Sequence, residues 1–522
     1  VRRRRLGRRV LVVAAVTTAP AGSLHKTGTL LAVLLATVST VMSSTMGNVV
    51  IPDVMGTFGI GQDQAHWIYT GFLSAMAAGM LLNATLMTRF GPRNVLLGAL
   101  AIFSVAALVG QYVPTFSGVV MARVAQGLCA GLVQPLGLSV VYLAFPPEER
   151  GKAMGWYGVG IVVGPAVGPL IGGFIMEEAH WRMVLAAPLP IMFIAACLAS
   201  RFVPGRDDDA VQTPFNAVNF ALVIASVMLF LTGISAGQRD GWTTDLVFFL
   251  LFGSASAMIA FIVRELSTPN PILQPKLFTY PKYVASAIVA FVFGAGVFGT
   301  LYIIPVLVQT VQGLSPLGAG LVLLPGGIFM LIAFPIAGRI VGKIPAYITI
   351  GSGLLIFAYS CWLLAGAGIL TTFWTMAALI TLGRAGLSMI LPAQNLVTME
   401  AVPRELAAYA SGTNYFIRIA GGAIGVNVLA IYMESRIAGH SHELMVSQTA
   451  DNFVSTGLRD TLFSFLETTG LPTEARLGVA EGYLRDVLSL KAHELAFQDG
   501  HLALAIFFLV GAVTSVLMLR RS

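Results

Sequence analysis

Charge is what this sequence has least of. Only 11% of its 522 residues are Asp, Glu, Lys or Arg, against about 25% in ordinary soluble domains, and the mean hydropathy is +0.83. So little charge cannot coat a chain of this length in water, which excludes a soluble enzyme. Cysteine is scarce too. Cys129, Cys197 and Cys361 stand far apart inside apolar runs, so no disulfide framework or metal knuckle is legible. A phosphate-cradling loop ending in Gly-Lys-Ser/Thr is missing, which argues against ATP-driven movement. No Ser/His/Asp constellation is recognisable, and His440 and His442 form an HxH with too few ligands for a metal. No enzymatic activity, metal or cofactor is expected.

What is present is apolar length. One spanning helix needs about 20 largely apolar residues. Segments of that kind lie near 28–50, 65–88, 94–113, 116–139, 152–175 and 183–203, and again near 216–236, 244–264, 283–308, 317–341, 346–367, 371–396, 407–433 and 501–519. The expectation is an all-α polytopic membrane protein of fourteen spans.

The sparse charges orient it. Six of the 31 basic residues (Arg2, Arg3, Arg4, Arg5, Arg8, Arg9) fall in the first nine positions, and the remaining 25 exceed the 24 acids by one. Ahead of an apolar series such a tail reads as a cytoplasmic anchor rather than a nucleic-acid arm. It also has the basic, apolar, small-residue order of a secretory signal; retention is the expectation. With the tail inside, the inner connections hold Arg89, Arg93, Arg150, Lys152, Arg201, Arg206, Arg264, Lys276, Lys282, Arg339, Lys343 and Arg404, and the short outer ones only Arg182 and Arg239. Twelve against two places both termini in the cytoplasm of an inner or plasma membrane.

The segment ATLMTRFGPRNVLLGAL pairs with GRIVGKIPAYITIGSGL, setting Thr88 opposite Gly342 at an offset of 254. GLVQPLGLSVVYLAFPPEER from Gly131 pairs with GLSMILPAQNLVTMEAVPRE from Gly386 at 255, and Pro147 answers Pro403 at 256. A constant offset argues for two parallel halves, as in secondary transporters whose substrate sits between the halves. The domain reading is a tail (1–27), a six-helix half (28–203), a linker with two inserted helices (204–282), a second six-helix half (283–519) containing an outer loop (434–500), and a short end (520–522). That loop is mixed-charge and helical in spacing, with Glu481 and Arg485 at i and i+4. It is either a solvated cap or a face for a partner protein.

Several motifs resemble those of the major facilitator superfamily, in its fourteen-helix drug:proton antiporter branch of EmrB and QacA type. GIVVGPAVGPLIGG from Gly160 to Gly173 in the fifth span is similar to the antiporter motif. RVAQG from Arg123, FPPEERGKAMG, NPILQPKLF from Asn270, QTVQGLSPLGAGLVLLPG from Gln309 and RIAGGAIG from Arg418 also resemble the branch. The resemblance covers essentially the whole chain. It implies export of small lipophilic substrates in exchange for protons, within membrane lipid and without nucleic acid. Its EmrB-like outer loop implies a periplasmic adaptor and an outer-membrane channel as partners.

In the fifth span Gly160, Gly164, Gly168 and Gly172 share one face, which lets a neighbour approach closely, while Pro165 and Pro169 bend the helix. Arg123, a guanidinium inside a span, belongs in the bundle interior, and the resemblance implies a role in proton relay or gating. Arg384 and Arg418 invite the same reading, with a structural role as its alternative.

The sequence also departs from that pattern. In MSSTMGNVVIP the place of the branch's first-span acid holds Ser43, and in ATLMTRFGPR, with Arg89, Thr88 replaces an Asp and Pro92 a basic residue. No acid or histidine falls at a span centre, so coupling would use Asp53 or another end-placed acid with Arg123, or water. The spans offer neutral groups instead: Asn48, Gln126, Gln134, Gln309, Gln394, Asn395 and Asn414, with Trp156, Tyr157, Tyr302 and Tyr415. A mostly apolar cavity with a few amides suits lipophilic or amphipathic substrates. These amides equally suit helix bridging. A nutrient importer on the same fold and a non-transporting membrane scaffold remain as alternatives.

Overall fold

The computed structural model describes residues 23–47, 49–65, 67–206, 216–268, 271–448, 452–467 and 472–521. The arginine tail, Asn48 and Asn270 lie outside them. Fourteen of the described helices are long and apolar enough to cross a membrane. The first half holds α1 (Ser23–Met46), α2 (Ile51–Phe58), α3 (Gln62–Ala65), α4 (Trp67–Phe90), α5 (Pro92–Tyr112), α6 (Phe116–Ala144), α7 (Pro147–Glu178) and α8 (Leu189–Phe202). An inserted pair follows, α9 (Ala217–Asp240) and α10 (Asp245–Ser267). The second half holds α11 (Pro281–Thr310), α12 (Pro316–Ile340), α13 (Ala346–Leu364), α14 (Phe373–Glu400), α15 (Ala407–Val446), α16 (Phe453–Glu467) and α17 (Thr473–Arg521).

Local chemistry starts these helices where the reading placed them. Thr115, Ser315 and Thr372 accept hydrogen bonds from the backbone N–H of Gly118, Gly318 and Thr375, satisfying donors that the first turn leaves open. Pro92, Pro147, Pro281 and Pro316 stand in first turns, where the missing N–H costs nothing.

The two halves repeat one packing scheme. In the first, α1 packs on α7 and α8, α4 on α6, and α5 on α6 and α8. In the second, α11 packs on α15 and α17, α12 on α14, and α13 on α14 and α17. The offset seen in the sequence is thus carried by equivalent helix pairs. The α9–α10 pair leans on α4, and α10 leaves Phe248, Phe249, Phe252 and Ile259 exposed, as a lipid-facing surface requires.

One region differs from its sequence reading. Residues 434–446 continue α15 as unbroken helix, and α17 enters the last span as a single helix from Thr473. The stretch read as an outer connection with helical spacing is helical in its described parts, and differs in that 434–446 and 473–500 run on unbroken from the flanking spans, with α16 packed on α17. Arg436 Nε donates to Asp499 Oδ2 at 2.6 Å, and His440 Nε2 lies 2.8 Å from the same oxygen, tying the two projections together.

The contacts named between the halves gather at the face that carries the basic connections. Asn83 donates to Ser411 Oγ at 3.4 Å, and Ser139 and Ser411 share a 2.8 Å hydrogen bond. Ala84 of α4 packs among Tyr283, Tyr409 and Ala410 of the second half. Beside them α7 meets α12 through glycine: a Cβ on Gly155 would stand 2.6 Å from Phe334 O, and one on Gly338 2.6 Å from Gly151 O. Further along, Gly164 turns to α1, where a Cβ would stand 2.8 Å from Val41 Cβ.

A side chain at Gly338 should therefore wedge the halves apart. Gly338→Val is expected to increase thiol labelling of Ser411→Cys from the basic face about tenfold, for a shift on the order of 1.4 kcal/mol between states. A membrane-impermeant maleimide on a Cys197→Ser background, which removes the one exposed native thiol, reads this; unchanged labelling would contradict the closure described.

Candidate functional site

Arg123 sits seven residues into α6 and is 1% exposed, about 10 Å along the helix from its start. Its Nη1 donates to Ser43 Oγ at 3.0 Å and Gln126 Oε1 at 2.9 Å. Nη2 donates to Ser43 O at 3.1 Å and Nε to Ile68 O at 3.4 Å. The guanidinium lies over the Phe72 ring at 4.2 Å. Gly47 makes room for it, since a Cβ there would stand 2.7 Å from Nη2. Ser43, the residue in place of an acid, is thus Arg123's partner, supplying a neutral oxygen where a carboxylate would make an ion pair.

A second network lies in the other half, toward the basic face. Arg418 of α15 donates through Nη2 to Gln394 Oε1 and Asn395 Oδ1, each at 2.9 Å. It stacks over Tyr415 at 4.4 Å and near Phe293 at 5.5 Å. Gln394 Nε2 donates to Asn414 Oδ1 at 2.9 Å and to Thr398 Oγ1 at 3.1 Å, and Ser286 Oγ is 2.5 Å from that hydroxyl. Gln394, Asn395, Asn414 and Tyr415 are each no more than 1% exposed. Across the interface Tyr157 donates to Gln134 O at 2.5 Å and is a near neighbour of Tyr415. Arg384, on α14, lines a small cleft with Thr300, Ser360 and Cys361.

Among the described residues no ion pair involves Arg123, Arg384 or Arg418. Arg123 and Arg418 are held by carbonyls, amides, hydroxyls and rings. Burying a charge inside a membrane protein requires such neighbours, and each of these two geometries satisfies part of the fork.

The structure brings together one set of the expected residues and separates others. Gln394, Asn395, Asn414 and Tyr415 join Arg418, and Gln126 joins Arg123. Asp53 does not reach Arg123: it is exposed on α2, so the two form no relay. Trp156 is 40% exposed on the flank of α7 and lines no interior wall. Gln309, near the end of α11, donates to its own helix at Pro305 O, and Tyr302 is half-buried on the same helix. Arg89 is exposed, its guanidinium 5.3 Å from the Phe90 ring. Gly164 faces the α1–α7 seam as a packing surface, and Pro165 beside it is half-buried.

Sequence reasoning missed Ser286, Thr398 and Ser411, small hydroxyls that only a three-dimensional neighbour makes conspicuous. It also passed over His501, buried at the start of the last span with Nδ1 2.8 Å from Phe497 O.

The Major Facilitator Superfamily family model matches residues 33–426. An uncharacterized MFS-type transporter of Bacillus subtilis, YhcA, is 26% identical over 479 residues, covering 92% of this chain and 90% of its own length. The multidrug export protein EmrB of Escherichia coli is 26% identical over 487 residues, covering 92% and 94%. The structure of the human organic anion transporter MFSD10 superposes with a TM-score of 0.60 at 14% identity, covering 94% of this chain and 99% of that one.

Supplying the absent charge tests the Arg123 geometry. Ser43→Asp is expected to pair with Arg123 and raise the melting temperature in detergent, while Arg123→Ala lowers stability by about 2 kcal/mol through stranded carbonyls and amides. A lower melting temperature for Ser43→Asp than for the parent would contradict this arrangement.

Proposed function

The chain belongs to the Major Facilitator Superfamily, and we propose that it exports lipophilic or amphipathic compounds across the plasma membrane by alternating access between its two six-helix halves. The observation that carries this reading is the buried polar network around Arg418, which lies directly behind the contact that joins the halves at the basic face. An excess of Lys and Arg on short connections marks the cytoplasmic side, so in this reading that face is the cytoplasmic one and both termini lie there. The protein is then closed to the cytoplasm. Separation of α4 from α15, and of α7 from α12, would expose the network to a substrate arriving from inside.

Export is coupled to inward proton movement in this reading. The glycine and proline rows of α7, which resemble the antiporter motif, support it, as does the similarity to a relative named as a multidrug export protein. Because the spans lack a central acid, the proton path uses groups near the membrane surface, such as Asp53 and His501, together with water. A nutrient importer built on this fold calls for a polar cavity with paired charges; the unpaired arginines argue for export of a largely apolar molecule.

The projecting ends of α15 and α17 with α16 form a helical cap that leaves Phe465, Leu477, Val479 and Tyr483 exposed. In the same proposal this cap docks a periplasmic adaptor that continues to an outer-membrane channel.

The test is efflux from cells, using neutral, anionic and cationic lipophilic dyes. At least one dye is expected to leave faster when the protein is present, to be retained on adding a protonophore, and to leave about tenfold more slowly from an Arg123→Ala variant present at equal level in the membrane. Equal retention of every dye with and without the protein would refute export.

A further inference from the structure

We propose that the exported substrate is an amphipathic anion, a lipophilic carboxylate or similar monoanion, and that its head group is received by Arg418, Asn395, Asn414 and Tyr415. The inference rests on the export reading above and names its substrate class.

The argument begins with what a guanidinium can do. It only donates, so the amide oxygens must face it. Arg418 claims Gln394 Oε1 and Asn395 Oδ1. With its oxygen so fixed, Gln394 presents Nε2 to Asn414, and Asn414 must answer with Oδ1. The chain of orientations leaves no freedom to flip any of the three amides. Every amide oxygen in the cluster is consumed, and what remains are donors: Asn395 Nδ2 and Asn414 Nδ2 have no hydrogen-bond partner, while the remaining edge of the Arg418 guanidinium faces only the neutral Tyr415 hydroxyl. All four residues are at least nine-tenths buried. A buried donor left open is costly, and here two open amide donors flank one positive charge that no carboxylate answers among the described residues. The chemical complement of that arrangement is a small anionic head with several acceptor oxygens.

Placement says how it arrives. Asn395 stands five residues from the end of α14, and Asn414 seven from the start of α15. The cluster thus lies within about 10 Å along each helix of the basic face, directly behind Ser139, Asn83 and Ser411 where the halves meet. A molecule entering from the cytoplasm when these separate would meet the donors first. The surrounding walls, with Tyr415 and Phe293 over the guanidinium, suit an apolar tail. Arg123 and Arg384 add further positive charge without a carboxylate partner, so a lipophilic cation entering the bundle would meet repulsion. An anion carried outward also moves with an inside-negative potential, which suits spans that hold no central acid.

Two amphiphiles of equal chain length separate the possibilities, one ending in carboxylate and the other in trimethylammonium. Each is offered to the full-length protein in inside-out membrane vesicles of neutral lipid, and accumulation is measured. The carboxylate is expected to accumulate about tenfold faster than the ammonium. Asn395→Asp, which keeps the shape of the cluster and places a carboxylate against Arg418, should reduce carboxylate transport about tenfold while membrane level holds and the melting temperature is no lower than the parent's. Arg418→Gln should do the same, and excess inorganic phosphate should compete weakly with the carboxylate in the parent only. Equal transport of the two amphiphiles, or undiminished carboxylate transport by Asn395→Asp, would overturn the anion assignment and leave export standing. Transport of neither would overturn both.

Discussion

The architecture turns on the burial of guanidinium groups in a medium that gives them no water. An arginine inside a span survives only where the protein supplies oxygens and aromatic faces. Around Arg123 these come from Ser43, Gln126, Ile68 and Phe72; around Arg418 from Gln394, Asn395 and Tyr415. Each set spans several helices, so the same contacts that solvate the charge fix helix against helix. α1, α4 and α6 converge on Arg123, and α14 and α15 on Arg418, with Ser286 of α11 reached through Gln394. Because the supporting groups are neutral, the positive charge persists rather than being cancelled locally.

The second constraint is closeness. Where α7 meets α12 the backbones touch through glycine, and where α4 meets α15 the bonds pass between small hydroxyls and one amide. Such an interface holds well when closed, with a few aromatic rings such as Tyr283 and Phe334 seated on small residues and no ion pair named across it among the described residues. Interdigitating residues would have to be dragged past one another on opening; glycine surfaces and single hydrogen bonds separate with little reorganisation. The glycine row further along the same helix, Gly160, Gly164 and Gly168, packs α7 on α1, so α7 travels with its own half. The two halves then behave as bodies whose contact can be exchanged for another, a bistable arrangement of the kind that packed interfaces permit.

Much of this was legible in the amino-acid order, and the limits of legibility are physical. Span count and the repeated helix pairing were readable because a bilayer imposes a length on helices, and that length marks the linear sequence. Gln394, Asn395, Asn414 and Tyr415 stood out because polar groups are rare in apolar runs. Their grouping around Arg418 did not, since residues on α14 and α15 meet only after two helices have packed. Asp53 was read as a partner for Arg123 because no acid falls at a span centre and it is one of those placed near a span end; it lies beyond α1, exposed on α2, and Ser43 takes the contact instead. Trp156 was read as a cavity residue from its type, whereas its neighbour Tyr157 occupies the inward face and leaves the indole on the flank. The helical spacing within 434–500 was legible, but the continuity of 434–446 with the span before it was not, because mixed charge marks the end of an apolar run without marking the end of a helix.

The central claim is that the two halves part and rejoin at the basic face about the contacts seen here. Lys152 on α7 and Lys343 just beyond α12 are both exposed on either side of that seam. Pulsed electron spin resonance distances between spin labels at these two positions, in lipid nanodiscs with and without a transported amphiphile, test it most directly. The account predicts one short distance in the closed state and a second, longer population once substrate drives opening to the cytoplasm. A single distance that no substrate or pH change alters, in protein that still transports, would contradict it.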